Sequence, residues 1–329
     1  MRATISLLAL LTPSFAMADV PKVLTDIPPI HALVSTVMGD LGPPQLLLEP
    51  GANAHGYALR PSQARSLQGA DLVVWVGPEM TPWLERALGS LGEGAAQLGL
   101  LAAKGTTVRE FGDEGDGHGH DHDHEGHDHD HDHEGHDHDG HDHDDHAGHD
   151  HEGHSHEGID PHAWLDPQNG ALWLEVIAAK LAEIDPENAA TYADNAARAK
   201  TEVQTLDAEL KATLAPIAGK PFVVGHDAYG YFTDHYGLKV VGAVSLGDAS
   251  SGGALHLQGL RKDLAEKQVI CAFPEVGSES KQLEVLLEGT TVKLGALLDP
   301  EGAGLDAGPE LYAQLMRKMG QTLVDCLKD

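Results

Sequence analysis

From Asp113 to Glu157 the chain carries no side chain with which to build a core. The stretch holds seventeen His, eighteen Asp or Glu and no Lys or Arg, in a near-repeat written HDHDHEGHDHDHDHEGHDHDG. Without apolar area to bury, such a segment cannot offset its ordering entropy. It is expected to be a disordered loop, so any fold must be assembled from the sequence on either side. Alternation in an extended chain sends imidazoles to one side at i and i+2. Neutral imidazole suits Zn, Cu, Ni or Fe, and the interleaved carboxylates raise the local negative potential. A solvated acidic linker with incidental histidines is the blander reading, and a composition this extreme argues against it. The candidate loop ligands are His118, His120, His122, His124, His127, His129, His131, His133, His136, His138, His141 and His143, with modest affinity per site and high capacity.

The first eighteen residues have a positive start at Arg2, an apolar core from Ile5 to Leu11, and Ala16-Met17-Ala18 before Asp19. This is the pattern of a secretory signal peptide. No cysteine stands at the cleavage point for lipid attachment, and no later apolar run reaches the length of a membrane span. A soluble exported protein, most simply periplasmic, is therefore expected. The two cysteines, Cys271 and Cys326, are an even count in an oxidising compartment and read as one disulfide, with two buried free thiols as the alternative. The formal charge is −31. The loop supplies eighteen of the negative charges, and the rest of the chain is moderately acidic. Nucleic acid and anionic membrane surfaces require basic patches and are not expected partners.

Outside signal and loop about 265 residues remain, enough for two ordinary domains. Before the loop, strand-like runs at 22–26, 45–48 and 71–76 alternate with helical patterns at 31–38, 61–69 and 81–91. That alternation predicts a parallel sheet covered by helices. After the loop, 171–181 and 187–214 read as helices, the second about 42 Å long at helical rise. The βα alternation then resumes: strands at 221–224, 239–244, 269–273 and 291–297, helices at 229–236, 255–267, 278–288 and 309–327. The expected fold class is α/β, two lobes with mainly parallel sheets and a long helix between them. The expected division is signal peptide 1–18, N-terminal lobe 19–112, loop 113–157, end of that lobe 158–186, connecting helix 187–216 and C-terminal lobe 217–329.

Ligands of open α/β sheets bind beyond the carboxyl ends of the strands. There the chain places His55, in Glu49-Pro50-Gly51-Ala52-Asn53-Ala54-His55, and His226, in Gly225-His226-Asp227. Asp299 follows the strand at 291–297, and His162 opens the first helix after the loop within Asp160-Pro161-His162-Ala163-Trp164-Leu165-Asp166-Pro167. Any one histidine after a strand is as readily a surface or core residue. Three with a carboxylate, beside a metal-attracting loop, make a tetrahedral N/O set suited to Zn²⁺. Asp-Pro is also an ordinary turn opener, so water is the alternative to Asp299. Three His with an open position would also suit a zinc hydrolase, but there is no HExxH and no carboxylate at general-base spacing. An enzyme is not expected. His31 reads as a helix-start histidine rather than an auxiliary ligand, and His235 and His256 as surface or packing residues.

The segments GANAHGYALRPSQ, DPHAWLDP, GHDAYGYF and the LLDP turn, in this order and with a His-rich insertion between the first two, resemble the metal-binding segments of the cluster 9 metal-specific ABC-importer solute-binding proteins. The resemblance covers nearly all of the mature chain. It implies two α/β lobes joined by one long rigid helix, 187–214 here, a metal site between the lobes, and zinc as the bound metal, because manganese-binding relatives usually carry Glu where this chain has His226. Carried over, His55, His162 and His226 are the zinc ligands and Asp299 takes the variable fourth position. Some zinc relatives have an acidic residue before the first ligand, where this chain has Ala54. The cysteine pair matches a disulfide of some zinc members. A monomer is implied, delivering Zn²⁺ to the membrane permease of an ABC importer, with other periplasmic metallochaperones as further candidate partners. The loop would collect zinc or sense it, or, in the alternative reading, be the main element of a periplasmic zinc buffer.

Overall fold

The computed structural model describes residues 20–49, 51–92, 94–111, 158–245, 253–277 and 280–328. The expected signal peptide and the expected loop, with its candidate histidines, lie outside the described residues.

Strand β1 (Val23–Thr25) leads through helix α1 (Pro28–Met38) to β2 (Gln45–Leu46). Helix α2 (Pro61–Gln68), β3 (Leu72–Trp75), α3 (Pro82–Leu91) and β4 (Ala96–Gly99) complete the first sheet. After α4 (Pro167–Ile184) and α5 (Ala189–Leu214) the plan repeats as β5 (Pro221–His226), α6 (Gly230–Tyr236), β6 (Lys239–Ser245), α7 (Ala254–Glu266), β7 (Cys271–Phe273), α8 (Lys281–Leu287) and β8 (Lys293–Leu294). Helix α9 (Leu311–Leu327) ends the chain. The sheets run β2-β1-β3-β4 and β6-β5-β7-β8, with every pairing parallel. Each lobe therefore has one crevice where the strand order reverses, between β1 and β3 and between β5 and β7. Strand β3 is buried along its whole length, as expected of a strand covered on both faces.

Helix α5 presents Tyr192, Ala196, Ala199, Val203, Leu206, Leu210 and Leu214 as one buried stripe at three- and four-residue spacing. It packs on α1, α4 and α9, so one core runs through both lobes. Each fully buried leucine of that stripe contributes about 1.5–3 kcal/mol. Its 26 residues span about 39 Å. The expected start at Glu187 is corrected to Ala189, because Pro186–Asn188 forms a 3₁₀ turn first. Helix α4 is longer than the expected 171–181. Asp166 caps it by accepting a 2.8 Å bond from the Gln168 N–H, and Pro167 at its first position has the helical φ built in.

The expected strand 291–297 shrinks to two residues. At Gly295 the chain passes so close to the Phe273 ring that a Cβ would overlap it, and Leu298 rejoins the sheet by a parallel bridge to Glu275. Strand β4, with the sequence AQLG, has no β-branched residue to announce it; its register with β3, Leu72 opposite Ala96, makes it a strand. Cys271 and Cys326 form the expected disulfide, tying the first residue of β7 to α9 across 55 residues of sequence. Loop-closure entropy for that separation is about 4 kcal/mol. No helix among the described residues is long and apolar enough to cross a membrane.

Candidate metal centre

His226 is the last residue of β5, so it sits at the crevice between β5 and β7. Its Nδ1 lies 3.2 Å from Glu275 Oε1, and Tyr229 donates to Glu275 Oε2 at 2.7 Å. Glu275 comes two residues after β7, so adjacent strand ends bring the carboxylate to the ring. Burial, then Glu275 and the nearby Asp299 and Glu301, push the Tyr229 phenol well above its ordinary range. Tyr229 therefore remains a donor that anchors Glu275.

His162 is fully buried. Both its backbone N–H, at 3.0 Å, and its ring Nδ1, at 2.8 Å, engage Asp160 Oδ1. A carboxylate on Nδ1 fixes the tautomer with the lone pair on Nε2, the arrangement that orients metal-binding histidines. The Trp164 ring lies 5.2 Å away, with its Nε1 donating to Pro300 O across the lobes at 2.8 Å. Asp160 is buried as well, with Arg109 Nη1 at 3.4 Å from its Oδ2.

His55 reaches the same place from a turn after β2. Asn53 Oδ1 accepts the N–H of His55 at 2.8 Å and of Gly56 at 3.1 Å, closing an Asx turn. Trp83 Nε1 holds Ala54 O at 2.6 Å. The run Asn53-Ala54-His55 is thus a small device: side chain caps turn, carbonyl docks on α3, histidine is presented.

The ring centroids of His162 and His226 are 5.2 Å apart, those of His55 and His162 6.0 Å and those of His55 and His226 6.5 Å. The Nε2 atoms of His55 and His162 are both buried. With Zn–N bonds near 2.0 Å, tetrahedral geometry sets imidazole centroids about 5 Å apart. His162 and His226 stand at that spacing, whereas by the same geometry His55 is about 1 Å too far from His162 and about 1.5 Å too far from His226.

Asp299 lies at the same end of the second sheet, one residue after the Leu298–Glu275 bridge. Its two oxygens accept the N–H groups of Ala303 at 2.8 Å and Gly304 at 2.9 Å. Each carboxylate oxygen has a second lone pair. Asp227 also borders the centre: burial and then Asp160 push its carboxyl up, against the pull of Arg109, His162 and His226. The other described histidines, His31, His235 and His256, are elsewhere. His31 Nε2 lies 3.2 Å from Pro44 O, and burial holds its pKa down. His256 Nε2 lies 2.7 Å from Ala243 O. His235 is more than the expected packing residue, being clamped between Asp166 (3.3 Å) and Asp207 (2.7 Å) so that it joins α4, α5 and α6.

Sequence reasoning missed Asp160 and Glu275. Asp160 lies inside the quoted DPHAWLDP segment, and Glu275 follows a strand just as His226 ends one. The strand-end rule that found the histidines could have found Glu275.

A family model described as zinc-uptake complex component A, periplasmic (ZnuA), matches residues 23–326. The chain is similar to the high-affinity zinc uptake system protein ZnuA of Paracoccus denitrificans, 57% identical over 313 residues, covering 95% of this chain and 93% of that protein. It is also similar to the protein of the same name from Brucella abortus, 41% identical over 305 residues, covering 93% and 91%. Among solved structures it resembles the periplasmic zinc binding protein TroA from Treponema pallidum, with a TM-score of 0.72 and 18% identity over 94% of this chain and 99% of that one.

Proposed function

The chain belongs to the family of the periplasmic zinc-uptake complex component A, and on that premise we propose that it carries one Zn²⁺ on His55, His162 and His226, with Asp299 at the fourth position. Members of this family are transport binding proteins that work with an ABC importer, not enzymes. Zinc is therefore cargo: the protein binds it with high affinity as a monomer and hands it to the membrane permease. Residues 1–18 are removed on export to the periplasm.

The observation that supports this most is the convergence of three imidazoles from three segments. Two of them have Nδ1 engaged by a carboxylate, the partner that fixes ring orientation in metal-binding histidines and leaves Nε2 as the ligating nitrogen. His226 belongs to the second lobe and the other two to the first, so the metal would lie between them. Binding draws His55 inward by about 1–1.5 Å toward the spacing that a tetrahedral Zn–N set requires.

The His-rich segment collects zinc at lower affinity and passes it inward. The residues that flank it are held together: Phe111 N–H donates to Gly158 O at 3.0 Å, and Asp160 N–H to Arg109 O at 2.9 Å. Asp160, one of these flanking residues, is two residues from His162 in sequence. Metal requires neutral imidazole, so affinity in the segment falls as pH drops through about 6.5. The composition of the segment also supports a second reading, a zinc buffer whose main binding element is the segment itself. A competitive Zn²⁺ titration of protein lacking residues 113–157 separates the two. One tight site per chain that disappears on His226→Ala is the expected result; the absence of any tight site would hand the role to the segment.

A further inference from the structure

Arg109 stands just ahead of the inserted segment and outside the ligand set, yet it touches both sides of the crevice. Its Nη1 lies 3.4 Å from Asp160 Oδ2, and its Nε donates to Asp234 Oδ2 of α6 at 3.0 Å. Its backbone N–H donates to the Tyr231 hydroxyl at 2.9 Å, and that hydroxyl donates to Asp160 O at 2.8 Å. Space for the guanidinium exists because α6 begins with glycine: a Cβ on Gly230 would overlap Arg109 Nη1, Cζ and Nε.

The two oxygens of Asp160 divide their work. Oδ1 holds the backbone and ring of His162, and Oδ2 faces Arg109. The Asp160 and Arg109 side chains are 0% and 14% exposed, whereas Asp234 is 64% exposed. A buried carboxylate keeps one orientation only when its partners fix it. On the far side, α6 follows His226 by four residues, with Tyr229 between them anchoring Glu275.

We propose that Arg109 is a positioning residue that sets the spacing of His162 and His226 by clamping Asp160 to helix α6, and thereby governs how fast zinc leaves. This rests on the reading of the three histidines as the metal centre. Arg109 contributes no ligand atom; it acts through Asp160 on one lobe and through Asp234 and Tyr231 on the other. Groups that hold a ligand directly, as Asp160 holds His162, typically change affinity by about 10–100-fold, and Arg109, one step further out, is placed at the lower end of that range.

The test uses the full-length mature chain loaded with a single equivalent of Zn²⁺, chased with excess chelator. Gly230→Ala is the principal variant, because it displaces the guanidinium while keeping every charge. Arg109→Ala and Arg109→Lys accompany it. Zinc release about tenfold faster in Gly230→Ala and Arg109→Ala, with Lys in between and association unchanged, is expected. A second readout needs no metal: long-range ¹H–¹⁵N spectra of the metal-free protein should show His162 losing its single tautomer in the same variants, at pH values where Gly230→Ala is fully folded. Release within twofold of wild type and an unchanged His162 tautomer would overturn the proposal if His162→Ala still abolishes the tight site. If His162→Ala leaves the tight site intact, the metal-centre reading falls, and the role of Arg109 falls with it.

Discussion

The two lobes share one strand order and use it differently. In the second lobe the crevice between β5 and β7 ends in His226 and Glu275, two side chains that face a ligand position. In the first lobe the matching crevice between β1 and β3 is closed by Asp26, which directly follows β1. Its carboxylate is fully buried and accepts the N–H groups of Ile27 at 2.8 Å and Val76 at 2.9 Å, with the Thr81 hydroxyl at 3.4 Å. The first lobe offers its histidine from an Asx turn beyond β2 instead. Topology therefore creates two similar places, and they are filled differently: by a His226–Glu275 pair in the second lobe and by the hydrogen-bonded Asp26 in the first. The same contrast separates the histidines: His162 and His226 have Nδ1 engaged by carboxylates and lie 5.2 Å apart, while His55 sits on a turn 6.0 Å from His162 and 6.5 Å from His226.

The sharpest way to break this comparison is to remove the second-lobe histidine. Zinc binding free energies of about 10–16 kcal/mol shared over four ligands give about 2.5–4 kcal/mol each. His226→Ala should then weaken the tight site by several hundredfold in a chelator competition. Loss of less than tenfold would mean that the second-lobe crevice is not where zinc sits.

Next comes the staple. Burial pushes the Asp26 carboxyl up to about 6, above its ordinary value, so between pH 4 and 6 the folded chain holds a proton that the unfolded chain releases. Stability from this group is present below about pH 4 and is lost as pH rises through 6, on the order of 3 kcal/mol at one pKa unit per 1.4 kcal/mol. Asp26→Asn should remove that slope in urea melts of metal-free protein. A slope unchanged in the variant would show that Asp26 is not the group responsible.

A smaller effect is expected at Glu275. Glu275→Gln keeps the shape and the Tyr229 contact but weakens the hold on His226 Nδ1, for about a tenfold to hundredfold rise in the Kd for zinc. The smallest belongs to Asp299. Its oxygens are already engaged by the turn at Ala303 and Gly304, and water can replace it, so Asp299→Ala should cost less than about tenfold in affinity. A loss as large as that of His226→Ala would make it an equal ligand.

Much of this was legible in the sequence because it follows from local pattern. Strand-end positions picked out His55 and His226, a helix start picked out His162, and the fold brings the three together, while the long run at 187–214 marked α5. Pairings that depend on which strands become neighbours were not legible. Glu275 meets His226 only because β7 lies beside β5, and Asp26 closes its crevice only because β3 lies beside β1. Likewise the clamp on His235 needs α4, α5 and α6 to meet, which no periodicity announces. Strand β4 escaped notice because its residues have weak strand preference and are recruited by the register of β3.

The most direct measurement is anomalous diffraction at the zinc edge from crystals of the zinc-loaded mature protein. The account predicts one strong peak between the lobes at about 2.0–2.1 Å from an imidazole nitrogen of each of His55, His162 and His226. It also predicts that the His55 ring is drawn in to about 5 Å from the other two. A lone peak away from these three histidines, or one that leaves His55 at its present 6.0 and 6.5 Å, would contradict it.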